Sequence, residues 1–260
     1  GVQRIITRPQ GTLLLTGPSS SGKSTTIYAA LHEILHLQKH TINIVSIEDP
    51  VEFAMDRIAQ IQVNPHADLT FTTALRSILR QDPEVIVVGE IRDFETAKMA
   101  IQAGLTGHLV ISTIHSGTAA GVFTRLIDMG IEPFLVASSI TGVLAQRLIR
   151  LNCPDCTEEY TPDPLMMHYF GLTAESGPFY KGAGCKECQN IGYRSRAGIG
   201  EFLEVDNTLA EQLLRHPTTS QIHEIAVSKG MIPLAKDGLD KARLGITTIE
   251  ELYRVLPELS

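Results

Sequence analysis

An apolar segment that runs directly into a glycine- and serine-rich loop constrains the fold of this chain more than any other feature. Residues 12–16 read as a buried β-strand, and a helix-like segment follows the loop Gly17-Pro18-Ser19-Ser20-Ser21-Gly22-Lys23-Ser24. This is the spacing G-x-x-x-x-G-K-S in the strand, loop and helix context that the motif requires. Small residues let backbone N–H groups surround a phosphate closely, and a helix N-terminus favours its negative charge. The loop therefore predicts nucleotide binding.

Within the loop, two side chains have distinct expected parts in holding ATP. Lys23 supplies a positive charge for the β- and γ-phosphate oxygens, and the Ser24 hydroxyl is an expected Mg²⁺ ligand. The other residues contribute mainly backbone N–H groups. The predicted nucleotide-binding residues are Gly17, Pro18, Ser19, Ser20, Ser21, Gly22, Lys23, Ser24 and Thr25.

Length and composition limit the class of protein. The chain has 260 residues, of which 43% are hydrophobic and 20% charged, as in an ordinary globular chain of one or two domains. No stretch approaches the roughly 18 apolar residues of a membrane span, and no signal peptide opens the sequence, so we expect a cytoplasmic protein. The net charge of −7 and the lack of a long basic run argue against a nucleic-acid partner. A start at Gly1 suggests a fragment of a longer protein.

A second apolar run ends in a carboxylate. Residues 85–88 are continuously hydrophobic, which predicts an internal strand of a parallel sheet, and Glu90 follows closely. Four hydrophobic residues followed by an acid form the second half of a P-loop ATPase site, where the acid reaches Mg²⁺ directly or through water. Asp93 is expected to cap the next helix.

Strand and helix signals continue along the chain. Residues 57–63 alternate like an exposed antiparallel strand, and residues 133–150 are apolar on most faces, which predicts one helix. The sequence also predicts strands at 42–47 and 109–114, and helices at 25–38, 72–81, 94–103, 117–129 and, as several short ones, 207–260. Proposed breaks lie at Pro217 and Pro233, and proposed capping boxes pair Thr208 with Glu211 and Thr247 with Glu250.

All four cysteines fall into two matched pairs. Cys153 and Cys156 form one C-x-x-C, and Cys185 and Cys188 form another after 28 intervening residues. Disulfides are disfavoured in a reducing cytosol, and redox chemistry usually needs only one C-x-x-C. Four thiolates suit a closed structural Zn²⁺ site, which would fold a segment that lacks an apolar core of its own. His168 lies between the two pairs and is not needed as a Zn²⁺ ligand.

Several motifs together resemble the ATPase domain of the type II secretion and type IV pilus assembly ATPases. They are EDPVEF, ILRQDPEVIVVGEIRD, TGHLVISTIH followed by TRLIDMGI, AQRLIRLNC and the paired C-x-x-C. The resemblance covers nearly the whole chain, and the motifs appear in the family's order. It implies a RecA-like domain of a hexameric cytoplasmic motor whose ATP hydrolysis extrudes a pilus or pseudopilus through an inner-membrane platform protein.

The resemblance also assigns site residues. Glu48, Asp49 and Glu52 correspond to the family's Asp box, Glu90 to its Walker B acid, and His108 and His115 to its His box. We expect Glu52 to activate or position the water and Glu90 to serve the Mg²⁺ shell, although these two roles could be exchanged. His115 is the third expected catalytic residue. Because an odd separation puts two side chains on opposite faces of a strand, His108 is not expected to share its work.

The sequence departs from the family pattern at three places. The family usually has glycine where Ser20 and Ser195 stand, and asparagine in the segment that here is Ser116-Gly117-Thr118. At the position of Ser20 only glycine adopts positive φ without strain. One alternative is therefore a nucleotide sensor that does not hydrolyse ATP, and another is the related retraction motor, whose members generally lack the paired cysteines.

A ring motor also requires an arginine that reaches the nucleotide of a neighbouring subunit. The candidates are Arg76, Arg80, Arg92, Arg125, Arg147 and Arg150, and the sequence does not distinguish among them. The full prediction is a three-layer α/β P-loop NTPase fold of the RecA-like type, with a RecA-like ATPase core at 1–151, a tetracysteine zinc insertion at 152–196 and a C-terminal helical subdomain at 197–260.

Overall fold

The structure is a computed structural model that describes residues 1–38 and 42–256. Its described residues form nine β-strands: β1 Gly11–Thr16, β2 Ile44–Glu48, β3 Ile58–Gln62, β4 Val85–Ile91, β5 Leu109–Ile114, β6 Ile140–Asn152, β7 Thr157–Tyr160, β8 Phe179–Gly182 and β9 Tyr193–Glu204. They form eleven α-helices: α1 Val2–Ile6, α2 Lys23–Leu37, α3 Phe71–Ile78, α4 Phe94–Leu105, α5 Ala119–Asp128, α6 Pro133–Ser139, α7 Pro164–Tyr169, α8 Asn207–Leu213, α9 Thr219–Ser228, α10 Leu234–Arg243 and α11 Ile249–Val255. No described helix is both long enough and apolar enough to cross a membrane.

One seven-stranded sheet organises most of the strands. Its order is β3-β2-β4-β5-β1-β6-β9, and β7 pairs with β8 in a separate two-stranded sheet. The pairs β2 with β4, β4 with β5, and β5 with β1 are all parallel. Every residue of β1 and β5 is buried, as expected for strands covered on both faces. The α/β class and the internal position of β4 are confirmed.

Helices cover both faces of this sheet. Ile27 and Leu31 of α2 belong to the apolar cluster that contains Leu13 of β1. Successive strand residues point to opposite faces, so the neighbouring Thr12 points away from α2. There α4 comes so close that a Cβ atom on Gly104 would lie 2.3 Å from the Thr12 Oγ1. The predicted three-layer arrangement is therefore confirmed.

The predicted direction of the third strand is wrong. β3 pairs with β2 in parallel, with Ile58 opposite Ile44, whereas the sequence predicts an antiparallel strand. The connection at residues 49–57 has nine residues and no helix. Parallel crossovers usually need a dozen or more residues, so the short connection wrongly favoured a hairpin. The partial exposure of β3 agrees with the prediction and follows from its place at the sheet edge.

The predicted helix at residues 133–150 is also wrong. Helix α6 ends at Ser139, and the strand β6 continues for 13 residues to Asn152. Leu13 and its neighbours in β1 pair with the first part of β6, which supplies backbone partners that a helix would not use. An apolar segment fits a buried strand as well as a buried helix, so its hydrophobic pattern alone does not distinguish the two.

Smaller boundary predictions have mixed outcomes. Helix α3 ends at Ile78, so Arg80 lies beyond it and does not share a helical face with Arg76. Asp93 caps α4 as predicted, accepting a hydrogen bond of 2.8 Å from the Thr96 N–H. The helix breaks at Pro217 and Pro233 are confirmed. The two proposed capping boxes are wrong, because Asp206 caps α8 and Thr248 caps α11.

The chain divides into two compact units by its internal contacts. The sheet unit contains the described parts of residues 1–19, 23–145 and 202–231, and the cysteine unit contains residues 20–22, 146–201 and the described residues from 232 onward. Helices α8 and α9 thus belong to the sheet unit, and α10 and α11 to the cysteine unit. The division into domains at 1–151, 152–196 and 197–260 remains a prediction from the sequence.

A buried ion cluster stabilises the cysteine unit. The Glu251 side chain is 0% exposed and accepts hydrogen bonds of 2.6 to 2.9 Å from Arg254 and Arg150. Arg150 also lies over the Tyr193 ring, 4.1 Å from its centroid. Burial alone would raise the pKa of Glu251, but the hydrogen bonds from Arg254 and Arg150 hold that pKa below its usual value. The carboxylate is therefore ionised and paired at neutral pH.

Candidate functional site

The glycine- and serine-rich loop joins β1 to α2 as the sequence predicts. Gly17 and Gly22 have positive φ angles of 145° and 92°, and Lys23 is the first residue of the helix. The Lys23 Nζ donates to the carbonyl oxygens of Gly17 and Pro18 at 2.8 and 2.9 Å. The ammonium group consequently lies over the loop, where a phosphate-binding lysine is required.

A pocket of about 280 Å³ opens at the start of α2, at the carboxyl ends of the parallel strands. This is where ligands of open α/β sheets bind. It brings together six of the predicted site residues, which are Ser19, Lys23, Ser24, Glu52, Glu90 and His115. It is also lined by Tyr28, Glu48, Asp49, Arg92, Thr113 and Phe71, among others. Thr25 is exposed and does not line this pocket.

Glu52 lies directly beside the phosphate loop. The Ser24 Oγ donates to the Glu52 Oε1 at 3.2 Å, and the Glu52 side chain is exposed to the pocket opening. Because Glu52 follows β2 and Ser24 lies in the first turn of α2, two segments separated by 28 residues meet here. The expected Mg²⁺ ligand and the expected water-activating acid are thus neighbours.

Glu90 comes from an irregular part of β4. The regular pairing with β5 shifts between Val88 and Ile91, and Thr113 of β5 donates to the Gly89 carbonyl oxygen at 2.8 Å. A Cβ atom on Gly89 would lie 3.1 Å from the Ile47 carbonyl oxygen, so glycine allows β2 and β4 to stay close there. The irregularity leaves Glu90 half-buried within the strand, which continues to Ile91.

Both oxygens of Glu90 have partners. The Arg92 guanidinium donates to Oε2 at 2.7 Å, and the His115 Nε2 lies 2.9 Å from Oε1. The Glu90 hydrogen bond is the largest cause that raises the pKa of Arg92, and Asp49, 3.9 Å away, adds a smaller effect. Arg92 therefore links the two acidic segments at the pocket's rim.

The two histidines lie at opposite ends of β5. His115 follows the strand and contacts Glu90, with 59% of its side chain exposed. His108 precedes the strand, and its Nδ1 lies 3.0 Å from the Ala103 carbonyl oxygen. The two histidines therefore lie at different edges of the sheet, and of these two residues only His115 lines the pocket.

Glu48 has a different environment from the other acids. Its carboxylate accepts hydrogen bonds from Ser46 Oγ at 2.6 Å, from Gln60 Nε2 at 3.1 Å, and from the Tyr28 hydroxyl. Sequence reasoning missed Tyr28 and Gln60. The available signal was spacing, because Tyr28 follows Ser24 by four residues and so shares its helical face.

The loop chemistry fits a bound phosphate. The Ser21 side-chain oxygen is buried and has no hydrogen-bond partner among the described residues. Buried polar groups in native proteins almost always have a hydrogen-bond partner. The Ser21 hydroxyl is therefore available to donate a hydrogen bond to a phosphate oxygen or to a water beside it. Lys23 and the helix start supply the matching positive potential.

The four cysteines converge in the cysteine unit. All four Sγ atoms lie within 4.8 Å of one another, with Sγ–Sγ distances of 3.8 Å from Cys153 to Cys185 and from Cys156 to Cys188. Tetrahedral Zn²⁺ with bonds of about 2.3 Å separates its sulfur ligands by roughly 3.8 Å. The donor set therefore fits a structural Zn²⁺ ion with four protein ligands and no open position.

Backbone N–H groups support two of these sulfurs. Gly184 N–H donates to the Cys156 Sγ at 3.3 Å, and Cys185 N–H donates to the Cys188 Sγ at 3.1 Å. Burial would raise the pKa of Cys188, but N–H groups of Cys185 and Gly192 lower it to about 6. Burial raises the pKa of Cys153 to about 12. Metal ligands usually receive such outer hydrogen bonds, which orient them.

Comparison with known proteins decides the family. The family described as "Type II/IV secretion system protein" matches residues 1–254. The chain belongs to this family. "Type II secretion system ATPase E" of Vibrio cholerae is 51% identical over 257 residues, which are 98% of this chain and 50% of that protein. "Type IV pilus assembly ATPase PilB" of Thermus thermophilus is 47% identical over 253 residues, which are 96% of this chain and 28% of that protein.

Two solved structures, of an ATPase and of a pilus retraction motor, have the same fold. The ATPase DotB of Legionella pneumophila gives a TM-score of 0.72 at 21% identity, over 98% of this chain and 62% of that one. The pilus retraction motor PilT with bound ADP gives 0.71 at 25% identity, over 99% of this chain and 64% of that one. The present chain spans about half the length of the Vibrio cholerae relative.

Two serines, Ser20 and Ser195, have backbone angles that glycine adopts more easily. Ser20 has φ of 61° and Ser195 has φ of 71°, both in the left-handed region. A residue with a Cβ atom pays roughly 1–2 kcal/mol there, which glycine avoids. Ser20 carries this strain within the phosphate loop itself, and Ser195 carries it in β9.

Proposed function

We propose that this chain hydrolyses ATP with Mg²⁺ as cofactor, as the motor domain of a type II secretion or type IV pilus assembly ATPase. The observation that carries the proposal is the 3.2 Å contact between Ser24 of the phosphate loop and Glu52, in a pocket that also holds Lys23 and Glu90. Phosphoryl transfer to water needs neutralised phosphate charge, a metal ion and a positioned water. The pocket has side chains suited to each of these needs.

Each side chain has one part in the proposed mechanism. Backbone N–H groups of the loop and the Lys23 ammonium bind the phosphates. The Ser24 hydroxyl and Glu90 would hold Mg²⁺, which would neutralise charge on the phosphate oxygens. Glu52 accepts a proton from the attacking water or orients it. His115 donates to Glu90, which keeps that carboxylate directed into the pocket.

The partners of Glu52 and Glu90 support their proposed roles. Both Glu90 oxygens are held by Arg92 and His115, which suits a group that acts by its fixed charge. Glu52 is exposed and is bonded to one exchangeable hydroxyl, which suits a group that exchanges protons with water. The roles could be exchanged, and the substitutions described below distinguish them.

The proposed motor works as a homo-hexamer with further parts of the protein. A pocket of about 280 Å³ is slightly smaller than most ligand sites, which measure roughly 300–1,000 Å³, so we propose that other domains and a neighbouring subunit complete it. The chain covers only half of the Vibrio cholerae relative, which leaves room for such domains. The proposed setting is the cytoplasmic side of the inner membrane, with a platform protein as partner.

The cysteine cluster has a structural part in this proposal. Cys153, Cys156, Cys185 and Cys188 would bind one Zn²⁺ ion, which supplies bonds that hold the surrounding turns together. Because all four positions are taken by protein ligands, the ion would have no role in hydrolysis. Nucleic acid is not proposed as a partner.

A specific observation favours one alternative. Strain at Ser20 and the changed segment after His115 suit a nucleotide sensor of the same machinery that binds ATP without turnover. A retraction motor is the other alternative, since PilT has the same fold. The paired cysteines argue against it, because retraction motors generally lack them.

Phosphate release tests the proposal. Wild-type chain is incubated with Mg²⁺ and ATP over a range of protein concentrations, so that a requirement for ring assembly appears as rising specific activity. Glu52→Gln should lower release by about 100-fold or more, since general-base catalysis contributes roughly 10²–10⁴-fold, while binding of a fluorescent ATP analogue persists. Glu95→Gln, an exposed acid in the first turn of α4, is the matched control and should change nothing.

Two outcomes would contradict the proposal. Nucleotide binding without phosphate release at any protein concentration would favour the sensor. Release at the wild-type rate from Glu52→Gln would exclude Glu52 as the base and favour Glu90, for which Glu90→Gln is the corresponding variant.

A further inference from the structure

Helix α2 contacts the Glu52 segment with two residues of one face. Ser24 and Tyr28 are four residues apart, which places them one turn apart on the same side of the helix. Ser24 donates to Glu52 itself at 3.2 Å. The Tyr28 ring is only 9% exposed, and its hydroxyl reaches the segment from the interior.

The Tyr28 hydroxyl bonds to residues on both sides of Glu52. It donates to the Glu48 carboxylate, and it accepts a long hydrogen bond of 3.4 Å from the Phe53 N–H. The Tyr28 and Phe53 rings also contact edge to face, with centroids 5.7 Å apart. One phenol therefore fixes residues four before and one after the proposed base.

Gln60 of β3 completes this network. Its Nε2 donates to Glu48 at 3.1 Å and to the Phe53 carbonyl oxygen at 2.9 Å. Burial raises the pKa of Tyr28, and the bond to Glu48 raises it further, so the phenol remains a proton donor at neutral pH. The segment from Glu48 to Phe53 is thus bonded at its two ends, while Glu52 within it is exposed.

We propose that Tyr28 is a positioning residue for hydrolysis, which holds the Glu52 carboxylate at the phosphate loop through Glu48 and Phe53. The inference rests on the proposed function. In that function the Ser24 hydroxyl is a Mg²⁺ ligand, and its bond to Glu52 is given up when the site is loaded. The contacts of Tyr28 do not involve any proposed ligand of ATP or Mg²⁺, so they remain and keep Glu52 in place.

Tyr28→Phe removes the hydroxyl and keeps the ring against Phe53. Because a displacement of about 1 Å can cost on the order of 100-fold in rate, kcat should fall by about 10- to 100-fold. The Kd of ADP and the KM for ATP should change by less than about threefold, since Tyr28 is not a proposed phosphate ligand. Glu48→Gln should have a similar effect, and the double variant Tyr28→Phe with Glu48→Gln should be no slower than the slower single variant, because both act through one network.

A matched control separates positioning from general stability. Tyr169→Phe removes a phenol hydroxyl that donates to the Leu256 carbonyl oxygen at 3.1 Å in the cysteine unit. It should lower the melting temperature about as much as Tyr28→Phe and leave kcat unchanged. Equal losses of kcat in the two variants, or additive losses in the double variant, would overturn the inference.

A measurement without turnover separates this inference from the proposed function. Amide hydrogen exchange of residues 49–57 should be at least about tenfold faster in Tyr28→Phe than in the wild type, with no such change in Tyr169→Phe. If the wild type releases no phosphate, the proposed function fails, and exchange still reports whether Tyr28 holds the segment. Unchanged exchange together with unchanged kcat in Tyr28→Phe would overturn the role of Tyr28.

Discussion

The nucleotide pocket and the cysteine cluster are both polar centres, but they are built in opposite ways. In the pocket, Glu52 is bonded by the Ser24 side chain, and Glu90 by the side chains of Arg92 and His115. In the cluster, Cys156 and Cys188 are bonded by N–H groups of neighbouring turns, and the four sulfurs already have the spacing of a tetrahedral ion.

The groups that bond to a site's side chains limit what the site can do. Backbone bonds and a full set of ligands give a rigid, closed centre, which can stabilise a fold but has no position for a substrate. Side-chain bonds such as Ser24 to Glu52 can be exchanged for bonds to phosphate, metal or water.

Loss of zinc should have the largest effect. Structural Zn²⁺ contributes about 10–16 kcal/mol of apparent binding free energy in small metal-folded peptides. Cys185→Ser should therefore abolish stoichiometric zinc, measured by native mass spectrometry, and make residues 152–192 sensitive to protease. Lys186→Ala, an exposed neighbour that is not a ligand, should keep one zinc ion per chain. A metal-free wild type that resists protease would show that the cluster needs no ion.

Acid should weaken the cysteine unit through Glu251. Its pKa is lowered in the folded state, so its contribution is fully present above the ordinary glutamate pKa of about 4.5 and is lost as the pH falls towards the folded value. Glu251→Gln should lower the free energy of unfolding by about 3–5 kcal/mol at pH 7, because Arg150 and Arg254 lose a buried partner.

The same variant should flatten the acid dependence of unfolding below pH 4.5, measured by urea titration at several pH values. Glu159→Gln, an exposed acid of the same unit, is the control and should keep the wild-type slope. An unchanged slope in Glu251→Gln would mean that another carboxylate causes the acid sensitivity.

Removal of the loop lysine should weaken nucleotide binding specifically. Charge-assisted hydrogen bonds contribute about 1.5–3 kcal/mol, so Lys23→Ala should raise the Kd for ATP by about 10- to 100-fold in a fluorescence titration. Lys98→Ala, outside the pocket, should leave Kd unchanged. Equal affinities of the two variants for ATP would mean that Lys23 does not bind the phosphates.

The smallest effect should come from the strained serines. Glycine avoids roughly 1–2 kcal/mol of strain at positive φ and loses about 0.5–1 kcal/mol in chain entropy, so Ser20→Gly and Ser195→Gly should each stabilise by about 0.5–1 kcal/mol. Thermal unfolding measures this. Ser19→Gly, next to Ser20 but without positive φ, should not stabilise. Destabilisation by Ser20→Gly would mean that its side chain makes a contact worth more than the strain.

The sequence predicted the parts of the fold that depend on local patterns. The phosphate loop, the apolar strands β1, β4 and β5 and the Asp93 cap each have a signal within a few residues, and all are confirmed. Positive φ at Ser20 agrees with the prediction that this position favours glycine. The convergence of four cysteines follows from their paired spacing.

The failures concern pairings that no local pattern encodes. The partner of β6 is β1, more than 120 residues away, and only that pairing distinguishes an apolar strand from an apolar helix. The parallel direction of β3 depends on the path of a short connection. Tyr28 was missed because its partners Glu48 and Phe53 lie 20 and 25 residues further along the chain.

A crystal structure of this chain with Mg²⁺ and a non-hydrolysable ATP analogue would show directly whether the loop at residues 17–24 binds the phosphates beside Glu52. We expect the loop at residues 17–24 to enclose the phosphates, with Lys23 moved from the carbonyl oxygens of Gly17 and Pro18 to the β- and γ-phosphate oxygens. Ser24 should coordinate Mg²⁺, and Glu52 should face a water beside the γ-phosphate. A nucleotide bound elsewhere, with Lys23 still on the two carbonyl oxygens and Glu52 still on Ser24, would contradict the account.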